Sequence, residues 1–243
     1  TLSLFPWAKF RTTKGAVKLH AMIDLKGNLP AFATITDGKV HDVKAAPLVP
    51  IEPEGIYVAD RAYIDFDWLW SIDQKNAYFV TRLKRSIKWT RVISHPVDKS
   101  VGLRSDQEIL LFAKKTNEKY PKRLRRISFR DELQARTLVF LTNNFLLPAD
   151  TIAALYKARW EIELFFKWIK QNLKVKSFFG TSANAVKIQI WIAMIVYLIL
   201  AIIRERYRLE SSLSQLLHFL EVNLFEQKSL VSIFSMNSRR MPT

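Results

Sequence analysis

Cysteine is absent from the 243 residues, which excludes disulfides and thiolate zinc sites and is compatible with a reducing compartment. Histidine is scarce: His20, His41, His95 and His218 are scattered, and none pair at metal-ligand spacing. The opening stretch, TLSLFPWAKFRTTKG, has no basic leader followed by a long apolar run, so no secretory signal is expected. It starts with Thr rather than Met, and the chain is therefore expected to be a piece of something longer. Internal repeats and low-complexity tracts are also missing. The longest apolar run, Ile190 to Ile203, has 14 residues and is closed off by Gln189, Arg204, Glu205 and Arg206. A membrane span needs about 18 or more, so a buried core helix is the expectation, with membrane anchoring through 188–203 as a lesser alternative.

Acidic residues are few. The chain has 22 Asp plus Glu against 38 Lys plus Arg, a formal charge of +16. A polyanionic partner is the economical explanation, with nucleic acid first and an anionic membrane surface second; a generally basic protein without a specific partner is the bland alternative.

What the chain does have is enough apolar content, 49%, for a substantial core in one domain or one domain carrying an insertion. GAVKLHAMIDLKGNLPAFATITDG reads as two strands around a turn at Lys26-Gly27-Asn28. GIYVAD reads as a short buried strand that delivers Asp60 to a sheet edge. In IDFDWLWSIDQKN, Phe66, Leu69, Trp70 and Asp73 fall at helical spacing, and the strand-like AYFVTRL follows. Strand, helix, strand in this order predicts a crossover in an α/β sheet. From about Ser86 to Phe145 short β-type segments alternate with polar stretches, which predicts a β-rich insertion. Within it, residues 114–130 hold eight Lys or Arg and one acid, a run that reads either as a solvated charged hairpin or as a phosphate-contacting surface. Pro148 and Asp150 then start a helix predicted to run to about Leu173, and another is expected from Asn184.

Stepping about 100° per residue from Glu163 places Tyr156, Arg159, Trp160, Lys167, Lys170 and Lys174 in one arc roughly 100° wide. Leu155, Ile162, Phe166, Ile169 and Leu173 form an adjoining apolar stripe. Glu163 is then a carboxylate among cations. One reading is salt bridging at i, i+4 with Arg159 and Lys167, each pair contributing a few tenths of a kcal/mol. The other is a phosphate site, where Arg, Lys and Tyr grip a nucleic-acid backbone while the carboxylate holds a divalent cation. That role needs a partner carboxylate. Asp60 is the best candidate, although a turn-capping Asp is the plainer reading of it. Asp24, Asp37 and Asp42 suit structural roles at turns and loops.

Tyr156, Arg159, Glu163 and Lys170 match the Y-R-E-K signature, and the sequence resembles the DDE transposases of bacterial insertion sequences, in the insertion-sequence-four superfamily. ADRAY resembles the second-aspartate motif of the same family, with Ala62 where Gly is frequent. SLFPWAKFRTTKGAVKLH, TDGKVHDV, LVFLTNN and FFKWIKQ extend the resemblance over essentially the whole chain. It implies an α/β fold of the ribonuclease H-like, retroviral-integrase type. Residues 1–85 would form the first part of the catalytic domain, 86–145 the β-rich insertion, 146–208 the second part with the Glu helix, and 209–243 a C-terminal helical tail. It also implies that Asp60 and Glu163 are two members of a D-D-E triad holding two Mg²⁺ ions, with Mn²⁺ as a substitute. Such ions, roughly 3.5 to 4 Å apart, activate the attacking oxygen and stabilise the leaving one. Tyr156, Arg159 and Lys170 would hold element-end phosphates, with Trp160, Lys167 and Lys174 on the same DNA-binding face. Double-stranded DNA, at element ends and target, is the implied partner. A homodimer on DNA, a cytoplasmic location in a bacterium and no membrane partner complete the expectation.

The departure lies at the beginning. In the family the first Asp sits on a strand shortly before the stretch matching LSLFPWAKF, a position that precedes Thr1, and no Asp occurs before Asp24. The first strand is expected to be missing from its place between the Lys18–Leu25 and Ile56–Asp60 strands. The chain is accordingly expected to be inactive by itself. The alternative is a truncated DNA-binding remnant without chemistry.

Overall fold

The computed structural model describes residues 9–11, 14, 15, 17–132, 134–173 and 182–223. The chain divides into two compact units, residues 40–161 and residues 1–39 with 162–243.

In the first unit, a one-turn helix α1 (Asp42–Ala45) precedes β5 (Ile56–Ala59), α2 (Phe66–Gln74) and β6 (Tyr78–Arg82). Strands β5 and β6 are parallel, as strand, helix, strand predicts, with Ala59 opposite Thr81. Asp65 starts α2 by accepting hydrogen bonds from the Asp67 and Trp68 N–H groups. Four further strands follow: β7 (Trp89–His95), β8 (Leu103–Leu111), β9 (Leu124–Asp131) and β10 (Arg136–Thr142), with a short helix α3 (Lys114–Lys119) between β8 and β9. They join the first pair in one six-stranded sheet of order β5-β6-β10-β9-β8-β7. The β-type segments read between Ser86 and Phe145 thus extend the sheet that carries Asp60.

Helix α4 (Ala149–Ala158) covers the opposite face of this sheet from α2. Period-two alternation sends Phe79 and Leu141 to the α2 side and Val80 and Phe140 to the α4 side. Leu103 and Ile109 have the same parity on β8 yet face opposite sides, because the register slips between Leu103 and Ser105, as a bulge requires.

Polar side chains fix how this sheet meets its helices. The Asn143 amide donates to the Ala77 carbonyl (3.0 Å) and to Asp73 (3.2 Å), while its oxygen accepts from the Phe79 N–H (2.9 Å). Burial pushes the Asp73 pKa up, but donors from Lys122, Asn143 and Tyr120 outweigh it and hold the carboxyl below its usual value. Asn144 accepts from the N–H groups of Leu146 and Leu147 at 3.0 and 2.8 Å. The buried Arg125 makes a bidentate pair with Asp106 (2.9 and 2.7 Å) and also donates to the carbonyls of Leu147 (2.6 Å) and Asn144 (3.3 Å).

The second unit begins with a short ribbon, β1 (Lys9–Arg11) with β2 (Lys14–Gly15). It continues with the antiparallel hairpin of β3 (Val17–Asp24) and β4 (Leu29–Asp37). The hairpin turns where Lys26-Gly27-Asn28 predicts: Asn28 has φ of 53°, and Asp24 accepts from the Lys26 N–H. Leu19, Ala21 and Ile23 on β3 alternate onto a helical core built from α5 (Trp160–Asn172), α6 (Ala183–Arg206) and α7 (Leu213–Asn223). Helix α5 starts at the junction of the two units. In the core, Tyr197 meets Phe165 edge-on at 4.8 Å and Trp168 at 5.2 Å between centroids. Helix α6 is long and apolar enough to cross a membrane, but Val186, Ile190, Ala193, Met194, Tyr197, Leu200 and Ala201 bury one of its faces within this unit. Among the described residues, β3 pairs only with β4, and β5 only with β6.

The buried Arg125 cluster gives a direct stability test. Arg125→Ala leaves Asp106 charged and buried and is expected to cost about 3–5 kcal/mol. Arg130→Ala, on the same strand without such a partner, is expected to stay within about 0.5 kcal/mol. Urea unfolding midpoints measure both, and equal midpoints for the two variants contradict the assignment.

Candidate active site

Asp60 follows the last residue of β5 and caps a 3-10 turn, Arg61–Tyr63. One carboxylate oxygen accepts from the Ala62 N–H at 3.0 Å, so the plainer reading of Asp60 as a turn cap accounts for half of its side chain. The other oxygen faces Arg159, whose Nε lies 4.0 Å away. With the carboxylate 37% exposed, this is a loose, solvent-screened pair rather than a closed salt bridge.

Tyr156 is buried near the end of α4, its ring against Phe140 at 5.0 Å between centroids. The Arg159 guanidinium stands 5.7 Å from the same ring. The Tyr156 hydroxyl is buried and makes no hydrogen bond of normal geometry, although Arg159 is close enough to act on it electrostatically. Burial and the Asp60 charge raise its pKa, while Arg159 and Arg82 pull the other way; the net rise keeps the phenol a donor at neutral pH. A protonated phenol, two guanidiniums and an open carboxylate oxygen therefore share one place.

Arg82 was not among the residues the sequence singled out. Its position follows from register: Ala59 pairs with Thr81 across the parallel strands, so Asp60 and Arg82 are the next residues on adjacent strands. AYFVTRL reads as an ordinary strand with a polar end, and only its pairing with GIYVAD would have shown the Arg beside the Asp. By sequence, Asp42 suits a structural role beside a loop. In the structure its charge acts on Tyr63, whose pKa is pushed up to about 12 by burial, by Asp42 and by Asp60.

The single helix predicted from Asp150 to Leu173 is two helices. Helix α4 ends at Ala158, Arg159 forms a tight turn, and α5 begins at Trp160. The Arg159 N–H bonds the Tyr156 carbonyl three residues back, the tightening typical of a helix end. The predicted arc is consequently divided. Tyr156 and Arg159 belong with Asp60 in the sheet unit, and Trp160, at the start of α5, is more than half exposed. Glu163, Lys167 and Lys170 belong to the helical unit, where Glu163 is half-buried and the two lysines are exposed. Lys174 lies outside the described residues. Asp24, the earliest Asp in the chain, is engaged in its own hairpin turn.

The basic run 114–130 is largely occupied by the fold itself. Lys119 pairs with Asp67, Lys122 with Asp73 (2.6 Å), Arg123 with Glu108 (3.2 Å) and Arg125 with Asp106. Arg126 lies over Trp89 and donates to Gln107 at 2.9 Å. Of the two readings left open by the sequence, internal pairing explains five of its eight cations.

Residues 6–199 match the transposase DDE domain family. A protein of Sinorhizobium fredii named as a transposase is 34% identical over 230 residues, covering 93% of this chain and 64% of its own length. A protein of Geobacillus stearothermophilus named as a transposase for an insertion sequence element is 31% identical, covering 86% of this chain and 55% of its own length. One of Synechocystis with a similar name is 25% identical over 218 residues, with 88% of this chain and 61% of that protein covered. The chain thus spans between about half and two thirds of the length of these relatives. The mixed α/β sheet, Asp60 at the end of a parallel strand, the Tyr156–Arg159–Glu163–Lys170 spacing and a family match over most of the sequence lead to one conclusion: the chain belongs to the DDE transposase family of bacterial insertion sequences.

Proposed function

We propose that this chain is the catalytic region of an insertion-sequence transposase, which binds the double-stranded DNA of element ends and target in the bacterial cytoplasm and acts on it as a homodimer. The observation that carries the reading is the cluster of Asp60, Tyr156, Arg159 and Arg82 at the carboxyl ends of β5 and β6. Phosphate oxygens accept hydrogen bonds from phenol and guanidinium donors, and a carboxylate facing the same space gives a cation its ligand. Glu163, Lys167 and Lys170 on α5 add a second carboxylate and two exposed cations, with Trp160 and Lys174 as further DNA contacts. The parallel β5–α2–β6 arrangement with Asp60 at its end supports a ribonuclease H-like fold, into which β7–β10 are inserted before the Glu helix.

Members of the family use divalent metal ions. Asp60 and Glu163 have the hard oxygen chemistry that Mg²⁺ or Mn²⁺ takes, but they lie on different units. Among the described residues no three His, Asp or Glu side chains converge on a common point. When bound, the ions supply the charge that stabilises the attacking and leaving oxygens at phosphorus. The chain's own residues hold and orient the phosphates. A second reading is that the chain binds element ends without cutting them.

Two measurements test these readings. In fluorescence anisotropy with duplex DNA, Lys170→Ala and Arg82→Ala should each weaken binding regardless of sequence and reduce the salt slope by about 1, whereas Lys122→Ala should leave the slope unchanged. Slopes equal to wild type for Lys170→Ala and Arg82→Ala overturn the phosphate assignment. In a complete transposase built around this chain, Mg²⁺-dependent end cleavage should be lost with Asp60→Ala and with Glu163→Ala. Wild-type cleavage in either variant removes that residue from the site.

A further inference from the structure

The two ends of the six-stranded sheet treat their cations differently. At the end where β6 and β9 begin, Lys119, Lys122 and Arg123 are each paired with an acid, Asp67, Asp73 or Glu108. At the Asp60 end, where β6 leaves the sheet and β10 enters it, stand Lys84, Arg85 and Arg136. Among the described residues none of these three makes a side-chain hydrogen bond or ion pair, and both arginines are exposed. Asp131, opposite Arg136 across the hairpin, is buried and accepts from the Gln134 N–H instead. Neither it nor the exposed Glu132 pairs with Arg136.

Backbone register places these cations beyond Asp60 in one direction. Arg82 is level with Asp60 on β6, since Ala59 pairs with Thr81. The chain keeps to β10 for one more residue, the Leu83 N–H donating to the Val139 carbonyl at 2.8 Å. It then turns, with the Ile87 N–H on the Lys84 carbonyl at 3.1 Å. Arg82 is opposite Phe140, so Arg136 stands four residues further out along β10, where the β9–β10 hairpin projects past the ends of β5 and β6. With strands about 4.8 Å apart and about 3.4 Å per residue, the backbone of Arg85 lies about 11 Å from Asp60 and that of Arg136 about 16 Å.

We infer that Arg85 and Arg136 hold the duplex on the far side of the scissile phosphate, the DNA that flanks the element, with Lys84 adding to the positive field there. The inference rests on the transposase reading, in which Asp60 faces the scissile phosphate and Tyr156, Arg159 and Lys170 take the element end. DNA is continuous through the cut site before cleavage, so phosphates run away from Asp60 on both sides, and those residues account for one side only. Unpaired guanidiniums fork onto phosphate oxygens, and hydroxyls add further donors. Ser86 and Thr137, beside the arginines, are exposed hydroxyls, whereas an extended acidic peptide would call for side-chain pockets at these positions. At about 3.4 Å per base pair, Arg85 falls about three base pairs beyond the cut and Arg136 about five.

Fluorescence anisotropy in EDTA, which prevents cutting, tests this with a complete transposase built around this chain and duplexes from the end of the element that carries its gene. The duplexes stop at the cut or continue into the flank for about two, four or eight base pairs. Arg85→Ala should lower the salt slope by about 1 once the flank reaches about four base pairs, and Arg136→Ala only at about eight. Neither variant should differ from wild type on the duplex that stops at the cut, whereas Lys170→Ala should lower the slope on every duplex. Arg85→Lys and Arg136→Lys, which keep the charge, should retain the wild-type slope. Slopes lowered equally with and without flank, or unchanged at the longest flank, overturn the proposal. If only Lys170→Ala has an effect, this proposal fails while the transposase reading stands; a wild type that binds none of the duplexes overturns both.

Discussion

The position of the candidate site depends on one buried guanidinium. Arg125 spans from Asp106 on β8 to the carbonyls of Asn144 and Leu147, the loop that launches α4. Four donated hydrogen bonds in a buried setting leave this loop little freedom. Breaking them exposes a buried carboxylate to an apolar interior, so the alternative states are costly. Asn143 and Asn144 complete the lock by satisfying the backbone of Phe79, Ala77, Leu146 and Leu147. Through this loop the sheet sets where α4 starts, and with it where Tyr156 and Arg159, seven and ten residues on, stand relative to Asp60.

The local chemistry follows from that placement. A buried phenol that stays protonated, two arginines and a partly capped aspartate stand together, with the Arg159 guanidinium 4.0 Å from Asp60 and 5.7 Å from the Tyr156 ring centre. The tight turn at Arg159 matters as well. It divides the Y-R-E-K spacing between two helices, with Tyr156 and Arg159 at the end of α4 and Glu163 and Lys170 on α5.

Much of this was legible in the sequence, for identifiable reasons. GIYVAD, IDFDWLWSIDQKN and AYFVTRL carry clear period and capping signals, and they became β5, α2 and β6 with Asp60 at the predicted edge. The turn at Lys26-Gly27-Asn28 was equally plain, as was the apolar helix α6, although only one side of it is buried where a wholly buried core helix was expected. The helix break was not, because YKARWEIE contains neither Gly nor Pro, and helical periodicity continues across it. The pairing of the basic run was hidden because Asp67, Asp73, Asp106 and Glu108 lie on other elements, and local charge counting cannot see partners brought in by sheet register. Arg82 was missed for the same reason: only the parallel pairing of β5 with β6 sets it beside Asp60.

The central claim is that DNA is held by the Asp60, Arg82, Tyr156 and Arg159 cluster with the α5 lysines, and not by the basic run on β9 and its approach. Hydrogen exchange of the chain with and without duplex DNA separates the two directly. The account predicts protection concentrated at residues 59–64, 80–83 and 156–172. Protection confined to 114–130, with those three segments unchanged, would contradict it.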